Sequence, residues 1–481
     1  MLLRNNKNNI ISKILLSSAI IARSPTRRSI TNINSKVSLL RHFSITKKTR
    51  QLEDRQWNIQ PLPLSPVAEA MPRSGIRDVM DHAWSLESDT SKNVNILHLE
   101  VGQPMFKSPI ESLHTVAASV MEQKNQGYIA NAGLTELRET ILNYYNNRKG
   151  NIGNGLTIDN ICTSHGCVGA LTTAFLATIN PGDEVLIANP AWPNYEMAVK
   201  LYGGKPVFYN LNEHDSWNID FEHLESCINS KTKMIVVCTP SNPTGAVLTL
   251  KDMERLNDIC NQNNLFILSD EIYSQIYFNQ NSTNEKQEAT SILECSNMNP
   301  DRTIVVSGVS KAFSMTGFRV GWLVANEHII NTSIKLQEAF LSCGVPISQL
   351  AAKTAIEMSL NGTDNNYVKE CVDEYDDRRR LALEILEEND LKMYEPLGAF
   401  YCLVPIQEWI DRNGGSNNND NSSLSPSVQF CKELLDNKHV AVSPGDTFGT
   451  NTNQYIRISL ASDEETIRNG VTRLCEFIKS S

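Results

Sequence analysis

An α/β fold, with a mostly parallel central sheet between helices and a smaller α+β domain beside it, is predicted by three observations. Residues 234–239 and 265–269 are unbroken apolar runs of strand length, separated by a helical stretch at 250–261. Strands buried on both faces read this way. Residues 166–179 are apolar on nearly every side, so that helix is buried too. Beyond Val324 the pattern turns to long helices, then to strands at 401–404 and 455–460. Strands linked by helices, followed by a mixed segment, describe a large α/β domain joined to a smaller one.

The chain begins with a leader of distinct composition. Its first fifty residues hold eleven Lys or Arg, eight Ser and no acid; the first carboxylate is Glu53. Basic, hydroxylated and acid-poor composition marks a mitochondrial transit peptide. Arg41, Phe43 and Thr46 repeat the Arg-x-Phe-x-x-Thr spacing of two-step mitochondrial cleavage. A plastid address is the alternative, and a disordered basic tail would share the composition. The apolar run at 14–22 is too short to span a bilayer. Removing the leader takes eleven positive charges from a net charge of −10 and leaves −21. Such a chain is repelled by polyanions, so neither nucleic acid nor an anionic membrane is an expected partner. Eleven cysteines are scattered without a CxxC pair, which favours reduced thiols over disulfides or a metal site.

The remaining elements follow in order. Residues 51–66 are polar with prolines, an extended arm. Helical character at 67–86 leads to a short strand at 95–101 and the turn Gly102-Gln103-Pro104. Helices are predicted at 108–123 and 134–146, the second with Leu134, Leu137 and Ile141 on one side. Short strands are read at 161–163 and 184–188, the latter after the turn Pro181-Gly182-Asp183. Residues 303–306 form an apolar, β-branched strand. The Asn-rich stretches 279–288 and 413–427 read as surface insertions.

Several positions carry chemistry. Lys311 follows the 303–306 strand, and ligands of open α/β sheets gather just past the strands' carboxyl ends. Asp270 ends the run at 265–269, where a carboxylate is costly unless it is paired or caps the next helix. Gly166-Cys167-Val168 opens a buried helix, whose free N–H groups suit a phosphate. Arg457 alternates with Ile456 and Ile458, so it faces away from their layer, toward either solvent or a ligand.

Three stretches in chain order, SNPTG at 241–245, SDEIY at 269–273 and SGVSKAFSMTGFRVGW at 307–322, resemble the class I aminotransferases of pyridoxal-phosphate fold type I. The likeness covers about residues 60–480. It implies pyridoxal 5'-phosphate as cofactor, an amino acid and a 2-oxo acid as substrates, and a homodimer with composite sites. The leader composition and the likeness together divide the chain into a transit peptide (1–50), an arm contributing to the small domain (51–104), the large cofactor-binding domain (105–335) and the small domain (336–481).

The resemblance also implies a role for each site residue. Lys311 would bind the cofactor covalently, and Asp270 would pair with its ring nitrogen. Asn242 and Tyr273 would donate to the ring oxygen. Gly166, Cys167, Val168, Ser310 and Arg319 would hold the phosphate, with Tyr128 reaching it from the neighbouring subunit. Trp192 would stack on the ring, although a tryptophan between prolines also serves as a loop anchor. Arg457, Asn242, Trp192 and the Gly102 amide would face the substrate. The chain departs from the family pattern at Gly308, where many members carry a hydroxyl, and at Val168, where some aspartate-specific members carry a lysine. The second departure predicts a neutral, aromatic or broad donor range. The same lysine and aspartate also serve lyases that eliminate from Cβ or Cγ, and the motifs do not separate the two chemistries.

Overall fold

Thirteen strands form three sheets, in a computed structural model that describes residues 63–89, 94–148, 155–278, 288–413 and 424–480. The leader, the arm up to residue 62 and most of both Asn-rich stretches lie outside those residues. Residues Ser65–Ser481 make one compact unit; of the unit before it, only Pro63 and Leu64 are described, both exposed. In chain order the strands are β1 (Leu97–His98), β2 (Ile161–His165), β3 (Glu184–Asn189), β4 (Lys205–Asn212), β5 (Asn218–Ile219) and β6 (Thr232–Cys238). They continue with β7 (Phe266–Asp270), β8 (Thr303–Gly308), β9 (Val320–Val324), β10 (Tyr401–Pro405), β11 (Val440–Ala441), β12 (Ser443–Pro444) and β13 (Tyr455–Ser459).

The large sheet has the order β2-β9-β8-β7-β6-β3-β4-β5. The run from β8 to β4 is parallel throughout, with Cys238, Asp270 and Val306 side by side at the strand ends. Its two faces are sorted by the period of two that a strand imposes. Ile235, Ile267 and Val305 enter one core with Ile141, Met253 and Leu256. Val236, Leu268, Ile304 and Val306 enter the other, against Ala170, Ala174 and Phe175 of the helix Gly166–Thr178. Because both faces are covered, these strands read as continuous apolar runs rather than alternating ones.

Two longer strands, β9 and β4, were not anticipated, and β9 helps to make the sheet mixed. β9 lies between β8 and β2 and is antiparallel to both. Its first three residues, Val320–Trp322, belong to the lysine–arginine stretch, and Gly321 interrupts the apolar run there. β4 runs parallel to β3 but meets β5 only at Leu211 and Asn212, so it is close to an edge and keeps polar residues. The predicted strand at 95–101 is reduced to β1, because the chain then leaves the ladder to deliver Glu100 and Gly102 to the site. No helix follows Asp270 directly; residues 272–275 form a turn, and the Ile272 amide donates to Asp270 Oδ1 over 3.2 Å.

The smaller sheets bring distant segments together. β13 lies between β10 and β12, antiparallel to each, with Arg457 opposite Leu403 and Ser443. β1 runs parallel to β11, and the Ser459 amide donates to the Leu99 carbonyl. Ile456 and Ile458 pack into a core with Phe400, Val404, Phe430 and Leu474. That layer fixes β13 and turns Arg457 the opposite way. The helix Pro346–Leu360 places Ala351 and Ala352 in the same core as Ile141.

Candidate active site

Past the carboxyl ends of β6, β7 and β8 opens a cavity of about 1030 Å³. Gly102, Cys167, Val168, Trp192, Asn242, Asp270, Tyr273, Ser310, Lys311, Arg319 and Arg457 all line it. The structure therefore gathers nearly every residue singled out in the sequence. Gly166 lies just behind the wall. Tyr128 is 92% exposed and stands away from its own chain's cavity.

Lys311 sits in the connection from β8 to β9, and its Nζ donates to the Gly102 carbonyl over 2.7 Å. Burial first, then the positive Arg457 and Arg319, pull its pKa down to about 8. An amine in that range is neutral far more often than an ordinary lysine, which makes it a better nucleophile.

Asp270 is 2% exposed at the tip of β7. Burial pushes its pKa up, and its hydrogen-bond donors work against that rise. Tyr195 Oη donates to Oδ2 over 2.7 Å, and the Cys167 thiol donates to Oδ1 over 3.4 Å. A cation placed against this carboxylate would complete its charge balance.

The cavity is also lined by groups suited to a phosphate. The helix Gly166–Thr178 has no side-chain cap, so its first amides are free for an anion. Arg319 lies against that helix start; a Cβ on Gly166 would come within 2.5 Å of its Nη2. Gly166 also has φ +70°, a conformation glycine adopts without penalty. Among the described residues the buried Ser310 hydroxyl has no partner. Trp192 lines the wall between these groups, edge-on to Tyr195 at 5.5 Å.

Arg457 is the strongest pointer to a ligand. It is 2% exposed, so it is not part of a solvated strand face. Nη1 donates to Asn242 Oδ1 over 3.1 Å, and Nη2 donates to the Glu100 carbonyl over 2.6 Å and to Ser443 Oγ over 3.2 Å. Nε has no partner. The guanidinium lies 4.3 Å from the Tyr401 ring centroid and 4.8 Å from that of Phe448. Among the described residues no carboxylate forms an ion pair with it. The Glu100 carboxylate is turned to His98, 2.8 Å away. Burial lowers the Arg457 pKa, which expresses the cost of an uncompensated buried cation. An incoming carboxylate would remove that cost.

Sequence reasoning missed four contributors. Tyr195 falls three residues after Trp192, on the first turn of the helix Asn194–Leu201, and that spacing was the available signal. The Cys167 side chain acts on Asp270 as well as contributing its amide. Tyr401 meets Tyr273, hydroxyl to hydroxyl, at 2.9 Å. Glu100 contributes a main-chain carbonyl, for which no residue type is diagnostic.

A carboxylate at a strand tip, a lysine of lowered pKa and an uncapped helix start, all on one cavity, form a set that fits pyridoxal 5'-phosphate. Together with the mixed, mostly parallel sheet, they define a pyridoxal-phosphate enzyme of fold type I. The aminotransferase class I and II family model matches residues 94–474, so the chain belongs to that family and is a transaminase. It is 32% identical to the bifunctional aspartate aminotransferase and glutamate/aspartate-prephenate aminotransferase of Petunia hybrida, over 86% of this chain and 82% of that one. It is 31% identical to aromatic-amino-acid aminotransferase 2 of Thermococcus litoralis, over 87% and 99% of the two chains. Among solved structures, the aspartate aminotransferase of Thermotoga maritima superposes with a TM-score of 0.75 at 27% identity, covering 87% of this chain and all 100% of that one.

Proposed function

We propose that this transaminase moves the amino group of an L-amino acid to a 2-oxo acid, 2-oxoglutarate in particular, in a ping-pong cycle within amino-acid metabolism. The observation that carries the reading is Arg457, a buried cation without a counter-ion beside Lys311. Amino acids and 2-oxo acids share the carboxylate that such a group would bind. The Petunia relative, named as a glutamate/aspartate-prephenate aminotransferase, supports the choice of acceptor.

In this reading each side chain has a definite task. Arg457, steadied by Asn242, holds the substrate carboxylate, and the Gly102 amide assists. Lys311 would hold the cofactor and, once released from it, would serve as the base that takes the substrate Cα proton. Bound pyridoxal phosphate supplies an electron sink for the pair left when the Cα proton departs. Asp270, oriented by Tyr195 and Cys167, keeps the ring nitrogen protonated. Asn242 and Tyr273 face the ring oxygen, and Trp192 covers the ring. Ser310, Arg319 and the amides of Gly166, Cys167 and Val168 take the phosphate.

The reading extends to assembly, domains and location. A homodimer would bring Tyr128 to the partner's phosphate, in keeping with that side chain's exposure. The helix Ile110–Met121 also leaves Ile110, Leu113, Val120 and Met121 exposed, an apolar face suited to a second copy. The domain division at 105 and 335 belongs to the same proposal. Import into the mitochondrial matrix rests on the acid-free leader, and a fluorescent protein fused to residues 1–50 tests it.

The chemistry is tested by stepwise turnover. Holoenzyme mixed with a donor alone should release one equivalent of 2-oxo acid and no ammonia. Added 2-oxoglutarate should then yield glutamate. Continuous release of pyruvate and ammonia from a β-substituted amino acid, with no acceptor present, would identify a lyase instead.

A further inference from the structure

The proposed substrate clamp rests on a residue that is itself charged and buried. Glu100 lends Arg457 its main-chain carbonyl, while its side chain, fully buried, turns to His98. Glu100 Oε1 meets His98 Nδ1 at 2.8 Å, and Oε2 has no partner among the described residues. The other ring nitrogen, Nε2, meets Glu87 Oε1 at 3.2 Å, from the helix Gly75–Ser88. Two ring nitrogens that both face carboxylates are satisfied only when both carry protons, so the geometry calls for an imidazolium.

Glu87 and Glu100 are the charged groups that act on the ring. On the helix Gly75–Ser88, Asp78 and Asp81 turn to Arg73, and His82 turns to Asp436. The helix Glu464–Lys479 packs on β1, but its Glu464 holds Arg468 and its Glu476 holds Lys438. Asp463 caps that helix through the Thr466 amide. β11 brings only Val440 and Ala441. The hydrogen bond to Glu100, opposed by burial, raises the His98 pKa to about 9. The ring is therefore charged at neutral pH and loses its charge as pH rises through about 9.

We propose that His98 is a positioning residue for the substrate clamp: as an imidazolium it holds and neutralises the Glu100 carboxylate, which leaves the charge of Arg457 to the substrate. The proposal rests on Arg457 as the carboxylate clamp. The charge of Glu100 reaches Arg457, where it raises the guanidinium's pKa against burial. With the ring protonated, Glu87, Glu100, His98 and Arg457 sum to zero charge. Once the ring is neutral, Glu100 stays buried with Arg457 as its remaining cation. The clamp is then partly satisfied from within, and an incoming carboxylate meets an added negative charge. Such repulsion is strong where the local dielectric is low. The main chain between ring and clamp is tied down, since the His98 carbonyl accepts from Ser462 Oγ and the Leu99 carbonyl from the Ser459 amide. The effect thus passes through charge rather than through movement.

The test is the KM of the holoenzyme for 2-oxoglutarate at one fixed donor concentration, or for 2-oxohexanoate should the first acid not react. Neither acid titrates between about pH 7 and about pH 10. The wild-type KM should rise across that range as His98 discharges. His98→Gln lacks the charge at every pH. Its KM should exceed that of wild type about three- to thirty-fold near neutrality, the size of coupling within one hydrogen-bonded network, and match it at the alkaline end. The change should lie in KM rather than kcat. Glu100→Gln removes the repelling charge and keeps the carbonyl, so it should lose the alkaline rise; joined to His98→Gln, it should reverse that variant's defect. Loss of packing alone would not give the two partners of one contact opposite signs. An alkaline rise that survives in Glu100→Gln belongs to another group, Lys311 first, and overturns the proposal. So does a His98→Gln KM equal to that of wild type near neutrality. An Arg457→Met enzyme with an unchanged KM for the 2-oxo acid instead sinks the clamp reading itself.

Discussion

Replacing Arg457 by methionine tests the substrate clamp without opening a hole in the core. Three of the five guanidinium N–H groups are taken by Asn242, Glu100 and Ser443. Two remain, one on Nε and one on Nη1; they lie on different sides of the guanidinium, so a two-point grip on a carboxylate would also use an N–H released by one of these protein acceptors. Charged hydrogen bonds contribute about 1.5–3 kcal/mol each, so the variant should lose about 3–6 kcal/mol of substrate binding. At roughly 1.4 kcal/mol per tenfold, kcat/KM should fall about a hundred- to ten-thousand-fold. The loss should be uniform across donors, because every donor presents the same α-carboxylate. Cofactor content and its absorbance should persist. Stability should move the other way: removing a buried cation that lacks a counter-ion relieves desolvation, so the ligand-free variant should melt no lower than wild type. A saturating carboxylate inhibitor should raise the melting temperature of wild type and leave the variant unmoved. Steady-state kinetics with several donors and thermal melts with and without inhibitor provide the readouts. A loss confined to dicarboxylic donors would refute the reasoning and place the α-carboxylate site elsewhere.

The remaining groups break in different ways. Arg319→Ala should release cofactor on dialysis, and excess pyridoxal phosphate should restore part of the activity; full retention would remove Arg319 from the phosphate site. Lys311 has a folded-state pKa of about 8, depressed below the 10.5 of the unfolded chain. Its charged form therefore penalises the cofactor-free fold fully below pH 8, and stability should recover as pH rises from about 8 toward 10.5. Melting temperatures across that range should show this rise in the cofactor-free wild type and a smaller one in Lys311→Met. Leu268→Ala, at a fully buried point between sheet and helix, should cost about 2–5 kcal/mol in urea unfolding.

The readable parts of this chain were those whose environment is uniform along the sequence. β6, β7 and β8 are buried on both faces, so every residue reports the same surroundings and the strands stand out. Lys311, Asp270 and Asn242 were found because each lies in a compact motif beside such a strand. The obscure parts depend on partners far away in the chain. β4 keeps polar residues because one of its sides is nearly an edge. β9 spends its sequence on close approach: a Cβ on Gly321 would overlap the Gly166 backbone, so strand formers give way to glycine there. The Tyr273–Tyr401 contact spans 128 residues, and the Arg457–Asn242 contact 215. No local pattern announces pairings over such intervals. Residues 272–275 looked like the start of a helix and form a turn, because Asp270 spends its side chain on the Ile272 amide and on the site.

The convergence of Glu100, Asn242 and Ser443 on Arg457 has a consequence for the order in which the protein matures. These residues come from both ends of the unit, and the Glu100–Arg457 contact closes a loop of 357 residues. Contacts of that range form late, after local structure has shortened the loop they must close. On the ribosome, Gly166 through Arg319 emerge well before Arg457. The groups proposed for the phosphate and the ring nitrogen would therefore be available while the proposed substrate clamp is still unmade. A nascent or partly refolded chain should acquire its cofactor first and its appetite for amino acids afterwards. Pyridoxal phosphate would then act as a template around which the last strand closes.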